Sequence, residues 1–283
     1  MRRIILIVSI LAITMSSYGQ KKPYVIYNSK GKKVSYKKMK KSLQKKDIIL
    51  FGEYHNNPIS HWLQYELTAD LNKTKKLILG AEMFEADNQN PLSNYVNKLI
   101  THKELDSLAR LWPNYKTDYA PLVNFAKDNQ LPFVATNIPR RFANLVYRKG
   151  FDALNSLSEQ EKQWIAPLPI LFDPALPTYQ KILEDMGDHG TPELVKAQAI
   201  KDATMAHFIL MNYKEGTLFL HYNGAYHSDQ YEGILWYLKK ENDRLNYGTI
   251  STVSQDNVNK LLKENHNKAD FIICVDNHMT KTY

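Results

Sequence analysis

The sequence predicts an α/β protein: a three-layer α/β/α arrangement with a largely parallel central sheet and a helical insertion. Six short runs rich in Ile, Val, Leu and Phe recur along the chain: DIILFG, KLILGA, PFVATN, TLFLHY, TISTVS and FIICVD. Near-continuous apolar runs of this length suit strands buried on both faces, and most are separated by helical patterns, as βα units require. Between Asn88 and Gly190 strand signals are scarce outside PFVATN, while Pro91, Pro113, Pro167, Pro169, Pro174 and Pro177 punctuate helical pieces. This stretch, roughly 88–190, is the insertion, and its expected position is over the sheet's ligand-binding edge.

The N-terminus, MRRIILIVSILAITMSSYGQ, places Arg2 and Arg3 before an apolar stretch from Ile4 to Met15 and small residues at Ser17 and Gly19. That order predicts a secretory signal peptide over 1–19, cut after Gly19. The apolar stretch is shorter than the ~18 residues a membrane anchor needs, and no second span is found. The mature protein is therefore expected to be periplasmic or secreted.

The formal charge of +8 is unevenly distributed. Residues 20–46 hold eleven lysines and no acid, whereas the chain from Asp47 onward carries 24 basic and 29 acidic residues. The sequence thus reads as a lysine-rich N-terminal segment (20–46) followed by a mildly acidic α/β domain (47–283). A solvated lysine face is the ordinary reading of such a run, with an anionic surface or acidic ligand as the functional one. Nucleic acid is not an expected partner of an exported chain. Cys274 is the only cysteine, so intramolecular disulfides, iron–sulfur clusters and zinc–thiolate sites are excluded by count, and a buried thiol in FIICVD is expected.

Helices are legible between the strands. HWLQYELTADL follows Pro58 and Ser60, PLVNFAKDN precedes the third strand run, and the long helix opening at Thr191 has Pro192 at its first position. Ser158 and Glu161 form a capping box ahead of a short helix.

In open α/β sheets, ligands bind beyond the carboxyl ends of the strands. There the first run ends in Glu53-Tyr54-His55, the second in Glu82, the third in Asn137 and Arg140, and the fourth in His221 through His227. Carboxylates, an amide, a guanidinium and imidazoles are thus delivered to one rim. A single acid or histidine there is commonly a cap or a satisfied polar group, but their coincidence across strands marks a candidate site. Gly52-Glu53-Tyr54-His55 and Gly224-Ala225-Tyr226-His227 repeat a glycine-to-histidine spacing after a strand. His61 and Gln64 share one helix face, as do Gln198, Asp202 and Met205 on the later helix.

These residues resemble the ChaN-like haem-binding family, which is related to the Tiki proteases and more distantly to erythromycin esterases. The resemblance runs in order through GEYHNNPISHWLQ, GAEMFEADNQ, DYAPLVNFAKDNQLPFVATNIPRRFA, VKAQAIKDATMAHFI and HYNGAYH. It implies an α/β sheet with a helical insertion, a role in bacterial haem or iron acquisition, and haem held through tyrosine and histidine where subunits pair as a homodimer. It also implies outer-membrane uptake components as partners. Position by position it points to Glu53, His55, His61, Gln64, Glu82, Asn137, Arg140, Gln198, Asp202 and His227, with Tyr54, Tyr119, Tyr222 and Tyr226 as the tyrosines near matching motifs. Family members are often lipoproteins. This signal lacks the lipid-bearing cysteine, so an untethered protein is expected.

Two functions follow as expectations. One is haem binding, with tyrosinate as a hard donor to ferric iron and Arg140 or the lysines pairing with propionates. The other is a metal-dependent hydrolase, a Tiki-like peptidase or esterase in which Glu53, His55, Glu82 and His227 hold a divalent transition metal and a carboxylate acts as base. A metal-free esterase, with histidine as base, is a third reading, although the Glu53–His55 spacing departs from that of erythromycin esterases.

Overall fold

The computed structural model describes residues 21–283; the predicted signal peptide lies outside them. Seven strands form one sheet in the order β1-β7-β6-β2-β5-β3-β4: β1 (Tyr24–Asn28), β2 (Ile48–Glu53), β3 (Leu77–Glu85), β4 (Phe133–Asn137), β5 (Leu218–Gly224), β6 (Tyr247–Gln255) and β7 (Phe271–Asp276). The predicted α/β class is correct. All neighbouring pairs are parallel except β1 with β7. The six apolar runs are β2 to β7, and every residue of β2, β4, β5 and β7 is buried, as strands covered on both faces must be.

The lysine-rich segment is woven into this sheet. Its YVIYN stretch is β1, pairing with β7 from Tyr24↔Val275 to Asn28↔Phe271. Helix α1 (Tyr36–Leu43), capped by Ser35, inserts Met39 and Leu43 fully into the core while its lysines face outward. Burial of two such side chains contributes on the order of 1.5–3 kcal/mol each. Charge alone hid this amphipathic pattern.

The expected helices are present. Helix α2 (Pro58–Asn72) starts from an Asn57 cap with Pro58 at its first position. Across the insertion run α3 (Gln89–Val96), α4 (His102–Leu108) and α5 (Ala120–Asn129) before β4, then α6 (Arg140–Lys149), α7 (Glu159–Lys162) and α8 (Pro177–Met186) after it. The Ser158–Glu161 capping box forms, but α7 is a single turn. Helix α9 (Pro192–Asn212) opens with Thr191 accepting from the Leu194 N–H, and α10 (Ile234–Glu241) lies between β5 and β6. Cys274 is buried between β1 and β6 residues, and burial first, then Asp276, pushes its thiol up to about 11. It is a core side chain.

One irregularity matters for function. Strand β3 follows β4 in register through Ala81↔Ala135, then slips so that Glu85 faces Asn137. The irregularity lies between Ala81 and Glu85, the stretch that holds Glu82, and bulges of this kind re-aim side chains at the ends of strands.

Candidate functional site

The two glycine-to-histidine turns are stacked on adjacent strands. In the parallel pair β2–β5, Gly52 lies opposite Asn223 and Glu53 opposite Gly224. A Cβ on Gly52 would come within 3.1 Å of the Ala225 Cα, and one on Gly224 would meet the His55 Nε2 and Cε1 at 2.9 Å and Glu82 Oε2 at 3.4 Å. Each glycine makes room for the other turn. His55 and Glu82 therefore converge on one backbone position.

Glu53 is the hub of the first cluster and is only 1% exposed. Its Oε1 accepts from the Tyr119 hydroxyl (2.7 Å) and lies 2.9 Å from His55 Nδ1, while Gln64 Nε2 donates to Oε2 (2.5 Å). A carboxylate behind Nδ1 fixes the ring and turns Nε2 toward the rim. Burial alone would lower the His55 pKa, but the Glu53 and Glu82 carboxylates raise it above the usual histidine value. The His55 ring, half-buried, packs edge-on against Trp112 at 4.9 Å.

His61 supports this arrangement from α2. Its Nδ1 faces Gln64 Oε1 at 3.1 Å and its Nε2 faces the His55 carbonyl at 3.0 Å. Asn114 donates to that same carbonyl (2.9 Å) and to Asp118 (2.7 Å), which also accepts from the Thr282 hydroxyl (2.8 Å). Asn114 and Asp118 escaped sequence reasoning. They lie in a turn of the insertion with no strand register to place them, and only the DYAP fragment of the resemblance touched Asp118.

The second cluster lines up through the core. Glu82 Oε2 accepts the Gly224 N–H (2.6 Å), and Oε1 lies 3.2 Å from His227 Nε2. On the other edge of the ring, His227 Nδ1 is 2.5 Å from Asp202 Oδ1 and 3.0 Å from the Gln198 amide, and Tyr179 donates to Asp202 Oδ2 (3.1 Å). Burial disfavours charge on His227, but the Glu82 and Asp202 carboxylates push its pKa up to about 9. Burial likewise opposes charge on Glu82, which the His227 imidazolium nonetheless holds well below the carboxylate range. Asp202 is raised, by burial above all.

Most of the expected donors are engaged with one another. Among the described residues no group of three or more His, Cys, Asp or Glu side chains is arranged to hold a metal ion. Glu53 with His55 and Glu82 with His227 are instead paired carboxylate to imidazole, with their polar atoms turned on each other. Tyr119 is 2% exposed, with its hydroxyl committed to Glu53, and burial followed by that carboxylate raises its pKa strongly. Tyr222 is wholly buried, sharing a hydrogen bond with the Thr68 hydroxyl (2.5 Å). Neither phenol is open at the rim. His61, Gln64 and Asp202 are buried and already hydrogen-bonded to neighbouring side chains. His221 lies inside β5 rather than on the rim, bonded to Thr136 (2.7 Å) and Asn223 (3.1 Å), with burial lowering its pKa to about 4.

Two tyrosines do open at the rim. Tyr226, in the second turn, is 52% exposed and its hydroxyl donates to Asp185 (3.3 Å). Tyr54 is half-buried near Asp229 and Tyr226; burial first, then those groups, raises its pKa. Tyr226 also lines a cleft of about 510 Å³ with Lys181 and Lys268.

Residues 39–238 match the family model described as haem-binding uptake, Tiki superfamily, ChaN. The chain belongs to this family. The matched span contains the candidate donors from Glu53 to His227, while Lys268 and Thr282 lie beyond it, so the ChaN-like resemblance holds over most of the chain.

Solved structures carry the same fold. ChaN of Campylobacter jejuni, described with cofacial haem binding, superposes with a TM-score of 0.66 at 19% identity, covering 90% of this chain and 98% of that one. A succinoglycan biosynthesis protein gives 0.52 at 12% identity over 85% of this chain and 90% of that one, and a Bacillus cereus protein gives 0.52 at 10% identity with the same coverage. Among curated proteins, RETICULATA-RELATED 5, chloroplastic, from Arabidopsis thaliana is 27% identical over 128 residues. That match covers 42% of this ChaN-family chain and spans only 17% of the plant protein's length.

Proposed function

We propose that this protein binds ferric haem at the carboxyl rim of its sheet, using the Tyr226 oxygen and the His55 Nε2 as donors, and that it serves haem or iron acquisition after export. Membership of a haem-binding family supports the cofactor. The single observation that carries the choice of residues is selective exposure: of the four tyrosines near family motifs, two are sealed in the core, one is half-buried, and Tyr226 is open.

The donor set suits the group. Ferric iron in bound haem supplies a hard Lewis acid that takes a phenolate oxygen or an imidazole nitrogen. Glu53 orients His55 so that Nε2 is the nitrogen left for a ligand, the usual support for a metal-binding imidazole. Pairing of two chains through this face would account for the expected homodimer. No helix among the described residues is long and apolar enough to cross a membrane.

The experiment is a haemin titration of the purified protein followed by absorbance and resonance Raman, with Tyr226→Phe, Tyr54→Phe and His55→Ala in parallel. Saturable binding with a tyrosinate signature that Tyr226→Phe removes is the expected result. Retention of that signature in Tyr226→Phe and its loss in Tyr54→Phe would move the ligand to Tyr54. Absence of saturable binding would overturn the reading.

The hydrolytic alternative draws on one observation: a part-exposed imidazole and a buried carboxylate converge on Gly224. Turnover of peptide or ester substrates that is lost in both His55→Ala and Glu82→Gln, without haem binding, would favour it.

A further inference from the structure

A second cleft opens at the end of the sheet beside β4. Arg110, Leu111, Trp112, Pro113, Glu85, Arg140 and Arg141 enclose about 360 Å³, and none of them lines the Tyr226 cleft. Its charges do not cancel. Arg110 pairs with Glu85 (2.8 Å) and Asp87, and Arg141 pairs with Asp87 (2.6 Å), so two carboxylates serve two of the three guanidinium groups. Arg140 makes no ion pair among the described residues.

Two independent features accompany that unmatched cation. Arg140 is the first residue of α6, a ten-residue helix whose N-terminus has Pro139 at the cap position and no side-chain cap. The leading N–H groups of such a helix, together with its dipole, favour an anion. Asn137 is 9% exposed, and its Oδ1 has no hydrogen-bond partner. It lies opposite Glu85 in register on the neighbouring parallel strand, so both project to the same face, and Glu85 lines the cleft. A buried amide left without a partner needs one, and it can offer either its oxygen or its nitrogen.

We infer that Arg140, the uncapped start of α6 and Asn137 form a binding site for a compact oxyanion, a phosphate or carboxylate group, with Trp112 as its apolar wall. A protonated phosphate matches the set: its oxygens accept from the guanidinium and the helix N–H groups, and its P–O–H donates to the Asn137 oxygen. The same chemistry has two sources, a free anion or the carboxylate of a larger bound molecule, and the second rests on the haem reading above.

The test begins without haem. Calorimetric titration of the purified protein with sodium phosphate at constant ionic strength should show saturable binding, weakened about tenfold or more in Arg140→Gln and partly restored in Arg140→Lys, as loss of a charge-assisted hydrogen bond requires. Asn137→Ala should weaken it less. Haemin and its dimethyl ester are then compared in wild type and Arg140→Gln. A loss of haemin affinity in Arg140→Gln that is absent with the ester identifies the occupant as a carboxylate of haem, whereas an effect on phosphate alone identifies a free anion. If Arg140→Gln alters neither phosphate nor haemin binding, the site is refuted, while failure of haem binding alone leaves the phosphate result standing.

Discussion

Glu82 and His227 face each other at 3.2 Å across the end of the sheet, both all but excluded from solvent. Glu82 lies in the stretch of β3 where the register slips, between Ala81 and Glu85, and β5 ends in a turn that brings His227 back over the rim. Asp202 on α9 closes the other side of the ring. The imidazolium between two buried carboxylates is thus a structural charge, and it gives stability a specific dependence on pH.

The Glu82 and Asp202 carboxylates push the His227 pKa up to about 9 in the folded protein, above the ordinary histidine value of 6.5, against the opposing effect of burial. The native state therefore binds the extra proton, and the stability it contributes is complete below about pH 6.5 and is lost as pH rises through about 9. Full loss corresponds to about 3 kcal/mol, or a fall in Tm of about 5 °C. His227→Gln should flatten the slope of Tm between pH 6.5 and 9.5. An unchanged slope would show that this pair does not carry the effect.

Tyr119→Phe removes one of the three hydrogen-bonding partners of buried Glu53. The expected cost is about 1–3 kcal/mol in urea unfolding, because the carboxylate keeps its burial and loses a donor. The tyrosinate signature of bound haem should persist. If that signature vanished with stability unaltered, Tyr119 would be a ligand after all.

Gly224→Ala tests the stacking of the two turns. Gly224 has ordinary extended dihedrals, φ −59° and ψ 143°, so the backbone accepts alanine, and the tightest conflict is with the His55 ring at 2.9 Å, ahead of Glu82 Oε2 at 3.4 Å. A folded protein is expected in which His55 is displaced from Glu53 and its pKa falls back toward 6.5, followed by NMR titration of the histidine ring. An unmoved His55 titration would mean the ring does not occupy this position.

Met39→Ala asks whether the lysine-rich segment belongs to the domain. Met39 is fully buried, so a loss of about 2–5 kcal/mol is expected from denaturant unfolding. A lysine-rich segment loosely attached to the domain would give almost none.

Periodicity and turn signals exposed β2 to β7, the α2, α5 and α9 starts and the placement of acids and imidazoles at strand ends, because strand ends in a parallel sheet share one edge. YVIYN is masked in the sequence by its lysine-dense flanks, although Tyr27 is buried with its hydroxyl on the Val258 carbonyl (2.5 Å). The sequence also could not separate Tyr226 from Tyr119. Exposure is a property of packing, and both tyrosines stand beside plausible motifs. The register slip in β3 between Ala81 and Glu85 has no local mark, since it arises from the mismatch between two strands distant in sequence.

The pairing of β1 with β7 carries a kinetic consequence. Tyr24 meets Val275, so the sheet's outer hydrogen bonds join segments nearly the whole chain apart. Closing so large a loop is entropically slow and comes after local βα units have formed. During synthesis the N-terminal stretch has no partner until the final strand has been made. Ordering of this edge of the sheet therefore waits on the synthesis of β7, however early the interior strands pair.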